Sequence, residues 1–456
     1  VTDTSADLVI LGGGSGGYAC AFRAAELGLS VVLIEKDKLG GTCLHRGCIP
    51  TKALLHSAEI ADAARDGNQV GVQTSFEGID IDGVNSYKNG IVSKLHKGLQ
   101  GLVKAHKVNY VEGAGTLVDA NTVEVDGTRY TGTNVVLATG SYSKTLPGLE
   151  FGGRIIASEQ ALNLDYVPDK VVVLGGGVIG VEFASVWRSF GAEVTIVEAL
   201  PHLVPNEDEY LSKQLERAFR KRGIKSKTGV KFTGAEQNES GVSVSLENGD
   251  QLDADLLLVA VGRGANTAGL GFEEAGLTME RGFVRTDERL RTNLPGVYAV
   301  GDVVPGLQLA HRGFQQGIFI AEDIAGQNPP AIDEAGIPRV TYCQPEVASV
   351  GLTETAAKEQ YGQVETFTYD LAGNGKSQIL KTAGAVKVVR APEGPVLGLH
   401  LVGERVGELI GEGQLIYNWE ALPEDVAPLV HAHPTQTEAL GEAHLALAGK
   451  PLHVHG

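Results

Sequence analysis

Cys43 and Cys48 stand with four residues between them in LGGTCLHRGCIPTKALLH, residues 39–56. Zinc coordination, a structural staple and thiol–disulfide exchange all use cysteines this close. Zinc wants about four ligands, usually from two clusters, and neither a second cysteine pair nor any Cys/His spacing elsewhere completes a set. A staple across so short a loop removes little chain entropy. Redox exchange is the chemistry that remains. In an unbroken helix, residues five apart are separated by roughly 7.5 Å of rise alone, beyond the roughly 7 Å Cα limit of a disulfide. The oxidised pair therefore predicts an interrupted helix, which Gly47 permits. Pro50 fits the first turn of the helix that follows, placing Cys48 near its N-terminus, where the dipole favours thiolate. Lys52 lies four residues on, on the same face, and adds a cation. Cys48 is thus expected to be the better thiolate, and Cys43, on the looser side, the one that exchanges with substrate.

A proton carrier is offered by HAHPTQTEAL, residues 431–440. Pro434 disfavours helix at His433 and can start one itself, which predicts His433 at a helix mouth and Glu438 little more than one turn in. A carboxylate there fixes the imidazole tautomer and raises its basicity. The competing readings are a solvated surface histidine and a His431/His433 metal pair; beside the cysteine motif, the acid–base reading is preferred. The terminal HVHG, residues 453–456, reads as a solvated tail.

Two glycine motifs offer nucleotide chemistry. Gly12, Gly14 and Gly17 follow an apolar run and precede a helix-like stretch, with Glu35 18 residues past the last glycine; Gly175, Gly177, Gly180 and Glu198 repeat the arrangement. The offset between the two sets is 163 residues for the glycines and for the acids. Such glycines allow a tight turn, close approach to a pyrophosphate and close helix packing, while the acid accepts from a ribose hydroxyl. Two sites suggest a flavin dinucleotide held in one and a nicotinamide dinucleotide visiting the other. Glu198 would repel a 2′-phosphate, and no arginine neighbours it in TIVEALPHLVPNED, so NAD is expected rather than NADP.

The elements that must position these groups can be traced along the chain. DLVILGGGSGG and KVVVLGGGVIG each read as a buried strand, a glycine turn and a helix, followed by a strand ending in acid. Two βαβ units in successive domains follow. NVVLATG, DLLLVAVGR and GVYAVGD read as further strands ending in glycine, and Asp62–Lys88 as a polar stretch. From about 338 onward, short alternating strands such as GAVKVV and PVLGLHLVG, then helices, suggest an α+β domain.

At 456 residues and 43% hydrophobic, the chain has material for about three domains. A net charge of −18, from 38 basic and 56 acidic residues, argues against nucleic acid and anionic membranes. The longest apolar stretch, near Val171–Val181, is too short to span a bilayer, and VTDTSADLVI shows no signal-peptide pattern. Cys20 and Cys343, isolated in sequence, read as small buried hydrophobes. A reducing compartment, the cytoplasm, is expected.

GGTCLHRGCIPTKALL, GVYAVGD and the HPTxxE pattern together resemble the dihydrolipoyl dehydrogenase group of the flavin-dependent pyridine nucleotide–disulfide oxidoreductases, and the resemblance runs over essentially the whole chain. It implies an α/β fold of two Rossmann-like dinucleotide-binding domains plus a C-terminal α+β dimerisation domain. The limits expected are 1–145 for FAD, 146–268 for NAD, 269–337 for a central segment completing the FAD domain, and 338–456 for dimerisation. It implies Cys43, Cys48, His433 and Glu438 as catalytic, with Asp302 on the flavin ribityl chain and Lys52 near the flavin ring, paired with Glu182. Further cofactor contacts are implied at Lys36, Gly41, Thr42, Gly115, Thr139, Gly140, Ala310, Ile179, Gly262 and Arg263. The partners implied are a second copy of the chain and the lipoyl-bearing acyltransferase subunit of a 2-oxo acid dehydrogenase complex. A mercuric reductase would need another cysteine pair after Cys343, and none is present. A glutathione reductase would show basic residues in place of Glu198, and a non-catalytic flavoprotein need not keep both the cysteine and the His–Glu pairs.

Overall fold

The computed structural model describes residues 4–454. Its first sheet orders the strands Asn109–Glu112, Val31–Glu35, Thr4–Leu11, Thr128–Leu137, Thr122–Val125 and Gly115–Asp119. The central strands pair in parallel, Leu8 opposite Val31 and Asn134, Leu11 opposite Ile34 and Leu137. Leu8 to Leu11 and Val31 to Ile34 are buried, as expected of strands covered on both faces. Val297–Ala299 joins the same sheet beside Thr128–Leu137, although nearly 160 residues separate them in the chain. The helix that follows, Ala310–Ile324, packs on Ser15–Glu26 at a near approach. A Cβ on Gly317 would stand 2.3 Å from the Gly16 carbonyl oxygen.

The second sheet is wholly parallel and repeats the design, in the order Lys225–Thr228, Glu193–Glu198, Lys170–Leu174, Leu256–Val259 and Ile155–Ile156. A three-stranded antiparallel sheet, Phe232–Gln237, Val242–Leu246 and Gln251–Ala254, stands beside it.

The C-terminal sheet is antiparallel, ordered Arg339–Thr341, Glu346–Gly351, Val396–Gly403, Ala385–Arg390 and Glu365–Asp370. Its two middle strands depart from the expected alternation, because every residue of Ala385–Arg390 and Val396–Gly403 is buried. One face is covered by helices Val406–Asn418 and Glu438–Leu447, through Leu409, Ile410, Leu440 and Ala443. The other shares a core with the preceding units: Val347, Ala385 and Val402 pack in one cluster with Leu54, Val181 and Leu211. The polar residues of these strands are buried with partners. Lys387 meets Asp208 at 2.8 Å and Glu354 at 2.7 Å, and Arg390 meets Glu424 at 2.9 Å.

The tail is also different from expectation. His453 Nδ1 lies 2.6 Å from Glu442 Oε1, and its backbone N–H donates to Oε2 of the same buried carboxylate, so His453 is anchored while its side chain stays 66% exposed. His455 and Gly456 lie outside the described residues.

Candidate active site

The helix around the cysteines is interrupted at Gly47, as the pair requires. Gly41–Arg46 ends and Cys48–Asp66 begins there, with Gly47 at φ −147°, ψ −109°. The break brings the Cα atoms of Cys43 and Cys48 to 4.6 Å and the two form a disulfide, well inside bridging range. The Thr51 N–H and hydroxyl both donate to the Gly47 carbonyl, at 3.0 and 2.6 Å, fixing the first turn behind Cys48. Cys43 is not on a loose segment: Gly41–Arg46 is itself helical, a short turn whose start is set by Gly40 and Gly41 at φ +107° and +61°.

Lys52 extends from this helix to Glu182, with Nζ 3.0 and 2.9 Å from the two carboxylate oxygens. Glu182 is nearly fully buried and also accepts the Tyr342 N–H at 2.9 Å, while Nζ stands 4.7 Å over the Tyr342 ring. Lys52 is therefore not a free cation beside Cys48. Its charge is matched by a carboxylate 130 residues away, which local spacing could not show. The helix N-terminus is left as the local source of positive potential at Cys48.

Both glycine loops have the expected strand–turn–helix setting, and their geometry separates the glycines by purpose. Gly12 and Gly175 sit at φ +110° and +109°, where a Cβ would strike the carbonyl oxygens of Ala138 and Ala260 at 2.1 and 2.3 Å. Gly17 and Gly180 allow helix to meet loop: a Cβ would be 1.8 Å from the Gly12 oxygen and 1.9 Å from the Gly175 oxygen. Gly14 and Gly177 are different. They hold ordinary extended angles at the heads of helices Ser15–Glu26 and Val178–Phe190, neither with a side-chain cap. A Cβ would meet nothing closer than 4.0 Å at Gly14 and nothing within 4 Å at Gly177. Nothing in the protein demands glycine at either place. The free helix N–H groups and the open space before them fit a dinucleotide pyrophosphate.

The glycine between these was missed by sequence reasoning. The Gly13 N–H donates to Glu35 Oε2 and the Gly176 N–H to Glu198 Oε2, each at 2.7 Å. The second oxygen of each acid accepts a further backbone N–H, from Asp37 at 2.9 Å and Leu200 at 2.7 Å. Burial raises the Glu35 carboxyl above its usual range, with the Gly13 N–H opposing that shift. The signal was present as the middle residue of each GGG run.

The first loop and the cysteine helix abut. The Gly40 N–H donates to the Gly13 carbonyl at 2.8 Å, and a Cβ on Gly41 would stand 2.8 Å from the Gly14 Cα. Thr42 follows Gly41 within the helix that carries Cys43. Asp302, in the 3-10 turn Gly301–Val303, accepts a short hydrogen bond from the Ser141 hydroxyl. Arg263 Nε donates to the same hydroxyl at 2.7 Å. Thr139 Oγ1 donates to the Asn266 carbonyl at 2.7 Å, and Gly140 turns at φ +75° into a strand, Ser141–Ser143, paired with Arg263–Ala265. Ala310 opens helix Ala310–Ile324. Gly262 turns at φ +107° before Arg263 with nothing near its Cβ position, whereas Gly115 is packed against Leu11 and Val123. Lys36 is exposed beside Glu35, and Ile179 is half-buried in the first turn of Val178–Phe190.

His433 Nδ1 lies 2.8 Å from Glu438 Oε1, and the ring is largely exposed at 79%. The helix begins later than expected: Glu438 is its first residue, and Pro434 stands in the preceding turn, after a cis peptide bond. Residues 435 and 436 are held outside the helix by their neighbours. Asn374 Nδ2 donates to the Thr435 carbonyl at 2.9 Å, and Gln436 Nε2 to the Glu404 carbonyl at 2.7 Å. Glu438 Oε2 accepts the Thr435 N–H at 2.8 Å. Burial would raise the Glu438 carboxyl, but the Thr435 N–H and His433 outweigh it and hold the pKa below the usual value. A His431/His433 metal pair is not formed, since His431 instead meets Glu412 at 2.7 Å. No metal-holding group of three or more His, Cys, Asp and Glu exists among the described residues.

Residues 6–317 match the family model described as pyridine nucleotide-disulphide oxidoreductase, and residues 337–444 match that family's dimerisation domain. The chain is 38% identical over 473 residues to a dihydrolipoyl dehydrogenase of Bacillus subtilis (strain 168), covering 99% of each. It is 39% identical over 464 residues to a mitochondrial dihydrolipoyl dehydrogenase of Pisum sativum, covering 98% of this chain and 92% of that one. Among solved structures, LpdA from Mycobacterium tuberculosis superposes with a TM-score of 0.90 at 26% identity, covering 97% of this chain and 99% of that one. With a family model matched over more than half its length and relatives of this identity covered almost end to end, the chain belongs to the pyridine nucleotide–disulphide oxidoreductase family.

Proposed function

We propose that the chain is a dihydrolipoyl dehydrogenase, oxidising protein-bound dihydrolipoyl groups to lipoyl with NAD⁺ as acceptor. FAD would be held in the first glycine unit and NAD in the second. The observation that carries this reading is the disulfide built at a helix break directly against the first glycine loop, joined to a second loop whose acid, Glu198, is already anchored for a ribose. In this reading a substrate thiol gives its proton to His433, and the thiolate attacks Cys43 Sγ. The Cys43–Cys48 bond breaks, leaving a mixed disulfide and a thiolate at Cys48, near the N-terminus of Cys48–Asp66. The second substrate thiol then attacks the mixed disulfide at the substrate sulfur, its proton passing to the departing Cys43 sulfur, which closes the lipoyl ring and leaves Cys43 as thiol and Cys48 as thiolate. FAD, when bound, supplies two-electron chemistry between the dithiol and NAD⁺. Glu438 accepts from His433 Nδ1–H and keeps Nε2 free to take the proton.

The exposure of His433 supports a site completed between two subunits. It neighbours Leu429 and Val430, which are 58% and 98% exposed, inside the segment matching the dimerisation domain. A homodimer, the domain limits 1–145, 146–268, 269–337 and 338–456, a lipoyl-bearing acyltransferase partner and a cytoplasmic location belong to the same reading. The buried free thiols of Cys20 and Cys343 suit a reducing compartment. No helix among the described residues is long and apolar enough to cross a membrane. The test is steady-state turnover of dihydrolipoamide and of glutathione disulfide, each with NAD(H) and NADP(H). Dihydrolipoamide with NAD⁺ should be the productive pair; preference for glutathione disulfide with NADPH would overturn the assignment.

A further inference from the structure

Two residues before His433 lies a second histidine–carboxylate pair of the same kind. His431 Nε2 stands 2.7 Å from Glu412 Oε1, and the His431 side chain is only 13% exposed where that of His433 is 79%. Its ring lies against the helix that carries Glu438: a Cβ on Gly441 would come within 2.7 Å of His431 Nδ1. His431 thus bridges two helices, Val406–Asn418 through Glu412 and Glu438–Leu447 through Gly441, and Ala432 alone separates it from His433. The far side of the segment is braced as well, since the Thr435 hydroxyl donates to the Ala432 carbonyl at 2.7 Å.

We infer that His431 and Glu412 form a half-buried positioning pair that holds His433 and Glu438 in register for proton transfer. The inference rests on the proposed activity only for the identity of the proton donor. The charged and titratable groups facing His431 are Glu412 on one helix and Glu438 and His444 on the other. The bond to Glu412 raises the pKa of His431, with burial opposing it. Burial lowers the pKa of His444, whose Nδ1 meets the Leu440 carbonyl at 2.6 Å. The raised pKa favours the imidazolium form of His431, whose charge then offsets that of Glu412. Loss of His431 alone leaves an unmatched carboxylate nearby, which favours the imidazolium of His433.

Two readouts test this, one independent of turnover. An NMR titration of the His433 ring, with labelled histidines in the full-length protein, should show its pKa moved up by about half a unit in His431→Gln. In the double variant His431→Gln/Glu412→Gln the value should return to that of wild type. In dihydrolipoamide oxidation, His431→Gln should lower kcat by about tenfold to a hundredfold, the range expected for a misplaced catalytic group, with KM within about twofold. The two substitutions should be strongly non-additive. If His431→Gln does not fold, Glu412→Gln, which keeps the ring, should show a similar loss of kcat. An unmoved His433 titration in His431→Gln, or additive losses in kcat, overturns the inference. A shifted titration in a protein that cannot oxidise dihydrolipoamide leaves the pair standing and removes the proposed activity instead.

Discussion

Gly177→Ala separates what a glycine does for the fold from what it does for a ligand. Gly177 stands at φ −76°, ψ −174°, angles open to any residue, and no atom lies within 4 Å of where a Cβ would be placed. The folded protein has no steric objection to the methyl. Reduced freedom of the unfolded chain stabilises by about 0.4–1 kcal/mol, and the poorer N-cap that Ala makes costs a comparable amount, so Tm should stay within about 2 °C. The methyl instead occupies the space before the first turn of Val178–Phe190. If a pyrophosphate approaches there, kcat/KM for NAD⁺ should fall by about tenfold to a hundredfold, or about 1.4–2.8 kcal/mol. The assay is steady-state turnover with NAD⁺ varied at saturating dihydrolipoamide, with flavin content and Tm measured on the same preparation. Gly180→Ala is the contrast, because its Cβ would sit 1.9 Å from the Gly175 oxygen. Overpacking of that kind costs about 1–3 kcal/mol and should lower Tm whether or not NAD⁺ is present. A Gly177→Ala protein with kcat/KM for NAD⁺ within about twofold of wild type refutes the placement of a nucleotide at that loop.

Glu198→Arg should lower kcat/KM for NAD⁺ and raise it for NADP⁺, since it removes a ribose acceptor and a repulsive charge; unchanged values for both cofactors contradict the role. Cys43→Ser and His433→Gln should each be nearly inactive as homodimers. Re-pairing equal amounts should restore about a quarter of wild-type activity once subunit exchange is shown, because about half the dimers then carry one intact site; inactive isolated mixed dimers place both groups in one chain. Asp208 gives an acid limit to stability: burial opposes its charge, but the bond to Lys387 and the Glu354 N–H outweigh it and lower its pKa. A lowered carboxylate stabilises above its unfolded pKa, about 3.9, and that contribution is lost as pH falls through the folded value. Asp208→Asn should therefore lose stability at neutral pH and show a weaker loss between neutrality and acid, read from urea midpoints across pH; a parallel offset at every pH argues against the pair.

The parts of this molecule that repeat a local rule were legible. Spaced glycines after an apolar strand, with an acid closing the next strand, predict one geometry twice, and Gly12 with Gly17 matches Gly175 with Gly180 in the close approaches made. The break at Gly47 was legible because a disulfide of this spacing has a length to satisfy. What failed depended on distant partners. The alternation expected of GAVKVV and PVLGLHLVG does not hold, because the polar Lys387 and His400 are buried against Asp208 and the Leu352 carbonyl. The helix expected from Pro434 starts at Glu438 because Asn374 and Glu404, far back in the chain, take up the intervening groups. His453 read as tail for the same reason, with Glu442 out of view.

Glu182 has a mechanical consequence. Its helix belongs to the second nucleotide unit, Lys52 to the cysteine helix and Tyr342 to the start of the C-terminal unit, and one buried carboxylate fastens all three. Swinging the second unit outward as a body would strand that charge, at about 3–5 kcal/mol, and would part the shared core of Leu54, Val181 and Val347 as well. Arrival and departure of a dinucleotide therefore fall to smaller pieces: side chains at the mouth, and the 200–205 loop that touches Gly176 through Leu203 and Val204. The span from the disulfide to the second glycine loop should therefore keep one length as a dinucleotide comes and goes.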